Sequence, residues 1–223
     1  MRDPSYTTGG YTSVDPFSQG KIRFSKTEIL HIAAAIAVLS IAFTLIFRNS
    51  TLDPTDPTMN IILIVGMSVI LVVCSFLFHE FGHKFVAQKY NAWSEFRAFP
   101  YGLLMALVFS LMGFLFAAPG AVFIQGNISK EENGKISLAG PAVNFSISAI
   151  AIVIVLILNP GTFLSVVFYM LAWLNAFMGM FNMIPVLPFD GSKIVAWSIP
   201  VYIGAAAIGA AELIFVWFFL SAF

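Results

Sequence analysis

The chain has 223 residues, 59% of them hydrophobic and only 10% charged, and its net charge is zero. Soluble domains carry about 25% charged residues, so this composition excludes an ordinary soluble domain and reads as an integral membrane protein. The balanced charge leaves no basic surface for nucleic acid, and the single cysteine, Cys74, excludes an intrachain disulfide.

Residues 1–26 are polar and broken by Pro4, Gly9-Gly10, Pro16 and Gly20. They lack an apolar period and are expected to form a flexible tail, without the apolar run of a signal peptide. Lys21, Arg23 and Lys26 precede the first apolar run, which places this end on the cytoplasmic side by the positive-inside rule. Residues 27–223 are expected to form a single membrane-embedded domain. Its first span, 27–47, is long enough for a hydrocarbon core of ~30 Å. His31, near its start, reads as an interfacial residue, with a metal ligand as the alternative. Asp53-Pro54 and Asp56-Pro57 then mark a short external loop.

The second apolar run, 59–90, is too long for one crossing, so its end should emerge on the cytoplasmic side, where Lys84, Lys89 and Arg97 agree. It carries His79-Glu80-Phe81-Gly82-His83. Positions four apart lie on one helix face, so both imidazoles can meet one metal ion and Glu80 can reach a water there. This is the zincin arrangement, two His ligands with Glu as general base. The bland alternative is a His pair capping helix carbonyls. Against it, two of only three histidines fall at this spacing around a Glu. Gly82 allows another backbone to approach the motif closely. Cys74 reads as a small packing residue.

In 91–100, Trp93, Glu95 and Arg97 alternate with Ser94, Phe96 and Ala98, as in a strand. Residues 101–118 are apolar, Pro119-Gly120 breaks them, and 121–126 reads as a second short strand. Residues 130–135 read as a solvated loop. A third span covers 136–158 and a fourth 162–182. Pro185 and Pro188 then break the chain before Asp190-Gly191, and a last apolar segment, 194–223, is kinked at Pro200.

A catalytic zinc site wants three protein ligands and an open position. Asp190 follows a helix unwound by two prolines. Unwound backbone at membrane depth occurs only where protein or a water cavity satisfies it, and a carboxylate there is a functional candidate. Its alternative is a helix N-cap. Glu95 reads as exposed beside Arg97, and Glu212 as a helix-packing residue or, less simply, a substrate gate. For Asp190 to meet His79, the chain must cross the membrane an even number of times between them. Spans 136–158 and 162–182 supply two crossings, so 101–127 is expected to be re-entrant, a helix entering the membrane and returning through the strand.

The combination of His79-Glu80-x-x-His83, Gly140-Pro141-x-x-Asn144 and Asn182-x-x-Pro185-x-x-Pro188-x-Asp190-Gly191 resembles the site-2 protease family of intramembrane zinc metalloproteases, over about 59–193. The resemblance implies an all-α polytopic membrane protein with a three-helix catalytic core around one Zn2+, flanking transmembrane helices, and short strands near the cytoplasmic side. It implies His79, His83 and Asp190 as ligands, Glu80 as catalytic base, and Asn144 and Asn182 as groups that orient substrate or stabilise the oxyanion. The implied partners are the lipid bilayer and a transmembrane protein substrate, cut with the active site toward the cytoplasm. The strand at Val122, Phe123 and Ile124 is expected to pair with unwound substrate. The competing classes are an inactive helix-binding relative and a metal-ion transporter.

Overall fold

The computed structural model describes residues 22–115 and 118–220. The expected tail therefore lies outside the described residues up to residue 21. Eight helices, a π-helical turn and two strands follow in order: α1 Lys26–Phe47, α2 Pro57–Leu71, the π turn Val72–Leu77, α3 Phe78–Lys89, β1 Trp93–Ala98, α4 Pro100–Leu111, β2 Gly120–Gln125, α5 Lys130–Ile157, α6 Phe163–Asn182, α7 Asp190–Trp197 and α8 Ile199–Phe219.

Local chemistry sets the helix starts. Ser25, Asp56, Ser129, Thr162 and Ser198 each accept a backbone N–H of the first turn, and such caps are worth about 1 kcal/mol each. At Ser129 the cap is reciprocal, because Glu132 accepts the Ser129 N–H in return. That box corrects one expectation: 130–135 is the start of α5, not a loop. A second correction concerns the last apolar segment. Ser198 is extended (φ −151°, ψ 107°) and separates α7 from α8, with Pro200 in the first turn of α8. The chain breaks there rather than kinking. In the loop between α1 and α2, the Thr55 hydroxyl and the Thr55 and Asp56 N–H groups bond the Asp53 carboxylate, which holds it below its usual pKa.

Among the described residues, five helical stretches are long and apolar enough to cross a membrane: Lys26–Phe47, Pro57–Lys89, Lys130–Ile157, Phe163–Asn182 and Ile199–Phe219. Large apolar side chains such as Ile61, Ile150, Val153 and Phe218 are exposed on their outer faces, where lipid rather than water suits them. The protein is a multi-pass membrane protein.

One core cluster joins α2, α5, α6 and α8 through Met67, Leu71, Val155, Leu171 and Val216. A second joins α1, the π turn, β1 and α4 through Leu39, Val72, Phe76, Phe96 and Leu103. β1 and β2 form an antiparallel ribbon in the register Phe96 to Val122 and Ala98 to Gly120. Between them the chain leaves at Phe99 and returns at Pro119, where the Phe99 N–H bonds the Pro119 carbonyl at 2.9 Å. α4 inside this excursion has 12 residues, about 18 Å at 1.5 Å per residue, well short of a ~30 Å hydrocarbon core.

Candidate metal centre

α2 and α3 run on as one helix, interrupted only by the π turn. Such a turn inserts an extra residue and offsets the side chains that follow. The result is that His79 and His83 of α3 face α5. Two bare glycines make the contact close. A Cβ at Gly82 would strike the Ala139 carbonyl and the Gly140 nitrogen, and one at Gly140 would strike both imidazoles. The close approach expected at Gly82 is thus present, and Gly140 matches it from the other helix.

The imidazole Nε2 atoms of His79 and His83 lie 3.0 Å apart. Asp190 Oδ2 lies 3.5 Å from the first and 3.1 Å from the second. All three residues are buried. Asp190 is not the N-cap of α7. Phe189 holds that position, and Asp190 is the first helical residue. Its other carboxylate oxygen faces Lys193 Nζ at 3.8 Å. A Cβ at Gly191 would strike the Met183 carbonyl, so this glycine lets the 183–189 loop fold back tightly behind Asp190.

The hydrogen bonds behind the imidazoles decide their tautomers. His83 Nδ1 lies 2.8 Å from the Ile136 carbonyl, which only accepts, so Nδ1 carries the proton. His79 Nδ1 lies 2.6 Å from Asn144 Oδ1. The Asn144 amide is fixed, because its Nδ2 donates to the Ser75 carbonyl (2.9 Å) and to Asn175 Oδ1 (2.8 Å). Its Oδ1 therefore accepts from His79 Nδ1. With each Nδ1 turned to an acceptor, both Nε2 atoms converge on the same carboxylate oxygen, and neutral imidazoles so placed offer their lone pairs to one shared cation. The donor set, two imidazoles and a carboxylate, is one that zinc takes. His79, His83 and Asp190 are the only such group of His, Cys, Asp and Glu among the described residues.

Other expected residues fall elsewhere. Asn144 is fully buried, and both ends of its amide are engaged by His79, Ser75 and Asn175, so it orients the His79 imidazole. Asn182 is half-buried, and its Nδ2 bonds back to the Met178 carbonyl of its own helix. Glu95 is ion-paired with Arg97, but its side chain is mostly buried rather than exposed as expected. Glu212 is outside the converging group. His31 is not a ligand: its Nδ1 accepts the Ala98 N–H at 3.2 Å. Asn175 was not singled out from the sequence, yet it completes the network by donating to Ser75 Oγ and the Leu171 carbonyl. A polar residue in an otherwise apolar stretch, Leu171 to Phe177, was the available signal.

Glu80 is buried, and its Oε2 accepts the Val122 N–H at 3.0 Å. In an antiparallel ribbon, opposed pairs alternate between hydrogen-bonded and non-bonded. Phe96 sends its N–H to Glu28 and Val122 sends its N–H to Glu80, so this pair is non-bonded. The neighbouring Glu95 and Phe123 are then the bonded pair. Val122 and Ile124 present their backbone to the outer edge of β2, while Phe123 turns its backbone toward β1. Of the three residues expected on the substrate-pairing strand, Val122 and Ile124 thus carry the outward backbone groups.

Comparison with known proteins agrees with this chemistry. The model of "Peptidase family M50" matches residues 160–209. MJ0611 of Methanocaldococcus jannaschii, named as a zinc metalloprotease, is 40% identical over 178 residues, covering 79% of this chain and 87% of that protein. The zinc metalloprotease MJ0392 of the same organism is 28% identical over 60% of this chain, and Rip3 of Mycobacterium tuberculosis, also named as a zinc metalloprotease, is 29% identical over 63% of it. The matches span only 38% and 35% of those two longer proteins. No solved structure matches. The chain belongs to peptidase family M50, the site-2 protease family, and is a zinc-dependent protease.

Proposed function

We propose that the protein is an intramembrane endopeptidase that hydrolyses peptide bonds within or near transmembrane segments of other membrane proteins. The observation that carries this reading is the origin of the donor cluster. His79 and His83 stand on a helix that is itself apolar enough to span a bilayer, and Asp190 meets them from α7 after the chain has passed through two further such helices.

His79, His83 and Asp190 would hold the zinc. Zinc bound there supplies Lewis acidity, which makes water nucleophilic near neutral pH and polarises a carbonyl. Glu80 accepts the proton of the attacking water and delivers it to the leaving amine. Asn144 keeps His79 in the ligating tautomer. Asn182, at the C-terminal end of α6, is the remaining candidate for contact with the substrate backbone. A peptide bond in a helix is shielded, so the substrate unwinds and adds as a strand at the Val122 and Ile124 edge of β2. The exposed Phe123 side chain lies against the same strand.

The surrounding architecture follows. Residues 27–223 act as one membrane-embedded domain, with α3, α5 and α6–α7 as its catalytic core. Residues 99–119 dip into the bilayer and return, a reading supported by the short α4 and its joined ends. The N-terminal end of α1 and the active site face the cytoplasm.

The test is reconstitution of the full chain in proteoliposomes with single-span membrane proteins, with products mapped by mass spectrometry. Cuts within or bordering the span, absent in a zinc-loaded Glu80→Gln variant, support the reading. Cuts confined to soluble unfolded protein would remove its intramembrane part. Cleavage by Glu80→Gln at the parental rate would remove the mechanism and favour a different base.

A further inference from the structure

We propose that Glu28 and Lys84 are positioning residues that set the substrate-pairing edge of β2 at its distance from Glu80. The inference rests on the strand-pairing reading above.

Both side chains are completely buried. Lys84 Nζ lies 2.9 Å from Glu28 Oε1 and 3.0 Å from Oε2. Each partner also holds a strand. Lys84 Nζ donates to the Ser94 carbonyl at 2.8 Å, and Glu28 Oε1 accepts the Phe96 N–H at 2.9 Å. His31, one turn on from Glu28, accepts the Ala98 N–H. Two side chains of α1 thus take the outward N–H groups of β1, as a third strand would. The edge of β1 is closed by these contacts, while on β2 Glu80 takes the Val122 N–H and leaves the Val122 carbonyl and the Ile124 backbone for an added strand.

The link to the reaction is a spacing. Glu80 and Lys84 are four residues apart and lie on one face of α3. From that face Glu80 takes the outer edge of β2 at Val122, and Lys84 takes the outer edge of β1 at Ser94. The ribbon is gripped at both edges by the helix that carries the H-E-x-x-H motif. A buried ion pair is weak evidence for stability, since an apolar pair often serves as well. What an apolar pair cannot supply is a donor for the Ser94 carbonyl and an acceptor for the Phe96 N–H.

That difference gives the test. Glu28→Lys/Lys84→Glu restores an ion pair but turns an ammonium toward the Phe96 N–H and a carboxylate toward the Ser94 carbonyl. Glu28→Gln/Lys84→Met strands no charge, keeps an acceptor for Phe96 and releases Ser94. Each full-length variant is measured in proteoliposomes for zinc content, for amide exchange by mass spectrometry, and for cleavage of a synthetic single-span Leu-Ala peptide interrupted by Gly and Asn. Parental zinc content, tenfold faster exchange at 93–98 and 120–125 but not at 163–182, a raised KM and cuts scattered to neighbouring bonds are expected for both.

Parental exchange and cut sites in the charge-swapped variant would reduce the pair to an interchangeable charge contact and overturn the proposal. Loss of zinc and of the ribbon together in both variants would make the pair a determinant of folding and overturn it equally. An Ile124→Pro variant separates this inference from its premise. If that proline slows cleavage while both double variants cut normally, the inference alone fails. If the proline has no effect, strand pairing itself fails.

Discussion

Glu80 Oε2 accepts the backbone N–H of Val122 at 3.0 Å, so the carboxylate of the H-E-x-x-H motif is joined directly to the outer edge of β2. On the proposed strand pairing, a substrate added at that edge would arrive beside Glu80, the proposed base. The same bond fixes which residues can pair, because it assigns the outward backbone groups to Val122 and Ile124.

Proline at Ile124 should therefore slow cleavage of membrane substrates without disturbing the ribbon. It deletes an outward N–H and is tolerated at a strand edge. One lost hydrogen bond of about 1 kcal/mol corresponds to roughly a fivefold fall in kcat/KM. Proline at Phe123 deletes an inward N–H and should break the β1–β2 ladder instead. Steady-state kinetics together with amide exchange at 93–98 distinguishes the two, and equal effects from both substitutions would contradict the assignment of the edge.

Gly140→Ala should empty the metal site. The added Cβ would meet His83 Nε2 and Cε1 and His79 Cε1, and the helix backbone behind it cannot retreat without moving α5. Overpacking of this kind costs about 1–3 kcal/mol, and here it falls on the ligands. Gly66→Ala is the matched control, since nothing lies within 4 Å of its added Cβ. Zinc per chain by elemental analysis should drop in the first variant and stay at the parental value in the second.

The sequence made the ends of this site legible and hid its middle. His79, Glu80 and His83 announce themselves because helical spacing alone puts them on one face, and Asp190 because two prolines leave it at an unwound point. The apolar spans are equally plain from length. Lys84 misleads for a physical reason. A lysine at the end of an apolar run reads as a charge at the cytoplasmic boundary, yet this one is buried against Glu28, 56 positions away. Nothing local encodes that pairing. Asn144 misleads in the same way: its polarity is visible, but its partners His79, Ser75 and Asn175 come from three separate segments. The start of α5 was readable from Ser129 and Glu132 and was hidden only by the charge of the residues between them.

Asn144→Leu should weaken metal binding while leaving the ligands in place. The substitution keeps most of the volume but removes the acceptor that holds the proton on His79 Nδ1. Loss of such an outer partner typically costs 10–100-fold in metal affinity. Competition with a chromophoric chelator measures it. Parental affinity would show that the His79 tautomer is held by something other than Asn144.

Removing the metal should lower stability, and Asp190 should govern how much. The two Nε2 atoms and the Asp190 carboxylate lie 3.0–3.5 Å from one another, a spacing at which a shared cation joins all three. A cation held only by the folded state stabilises it by mass action, about 2.7 kcal/mol at a hundredfold excess over Kd. For a chain of this size that corresponds to a fall of roughly 5–10 °C in unfolding midpoint on chelation. Asp190→Asn keeps the shape but withdraws the negative charge, so it should bind zinc more weakly and respond less to chelator. Thermal unfolding of the parent and of Asp190→Asn in detergent, each with zinc and with excess chelator, reads both effects. An equal chelator response in the two proteins would place the third ligand elsewhere, because a carboxylate that completes the site cannot be neutralised without loosening the cation it helps to hold.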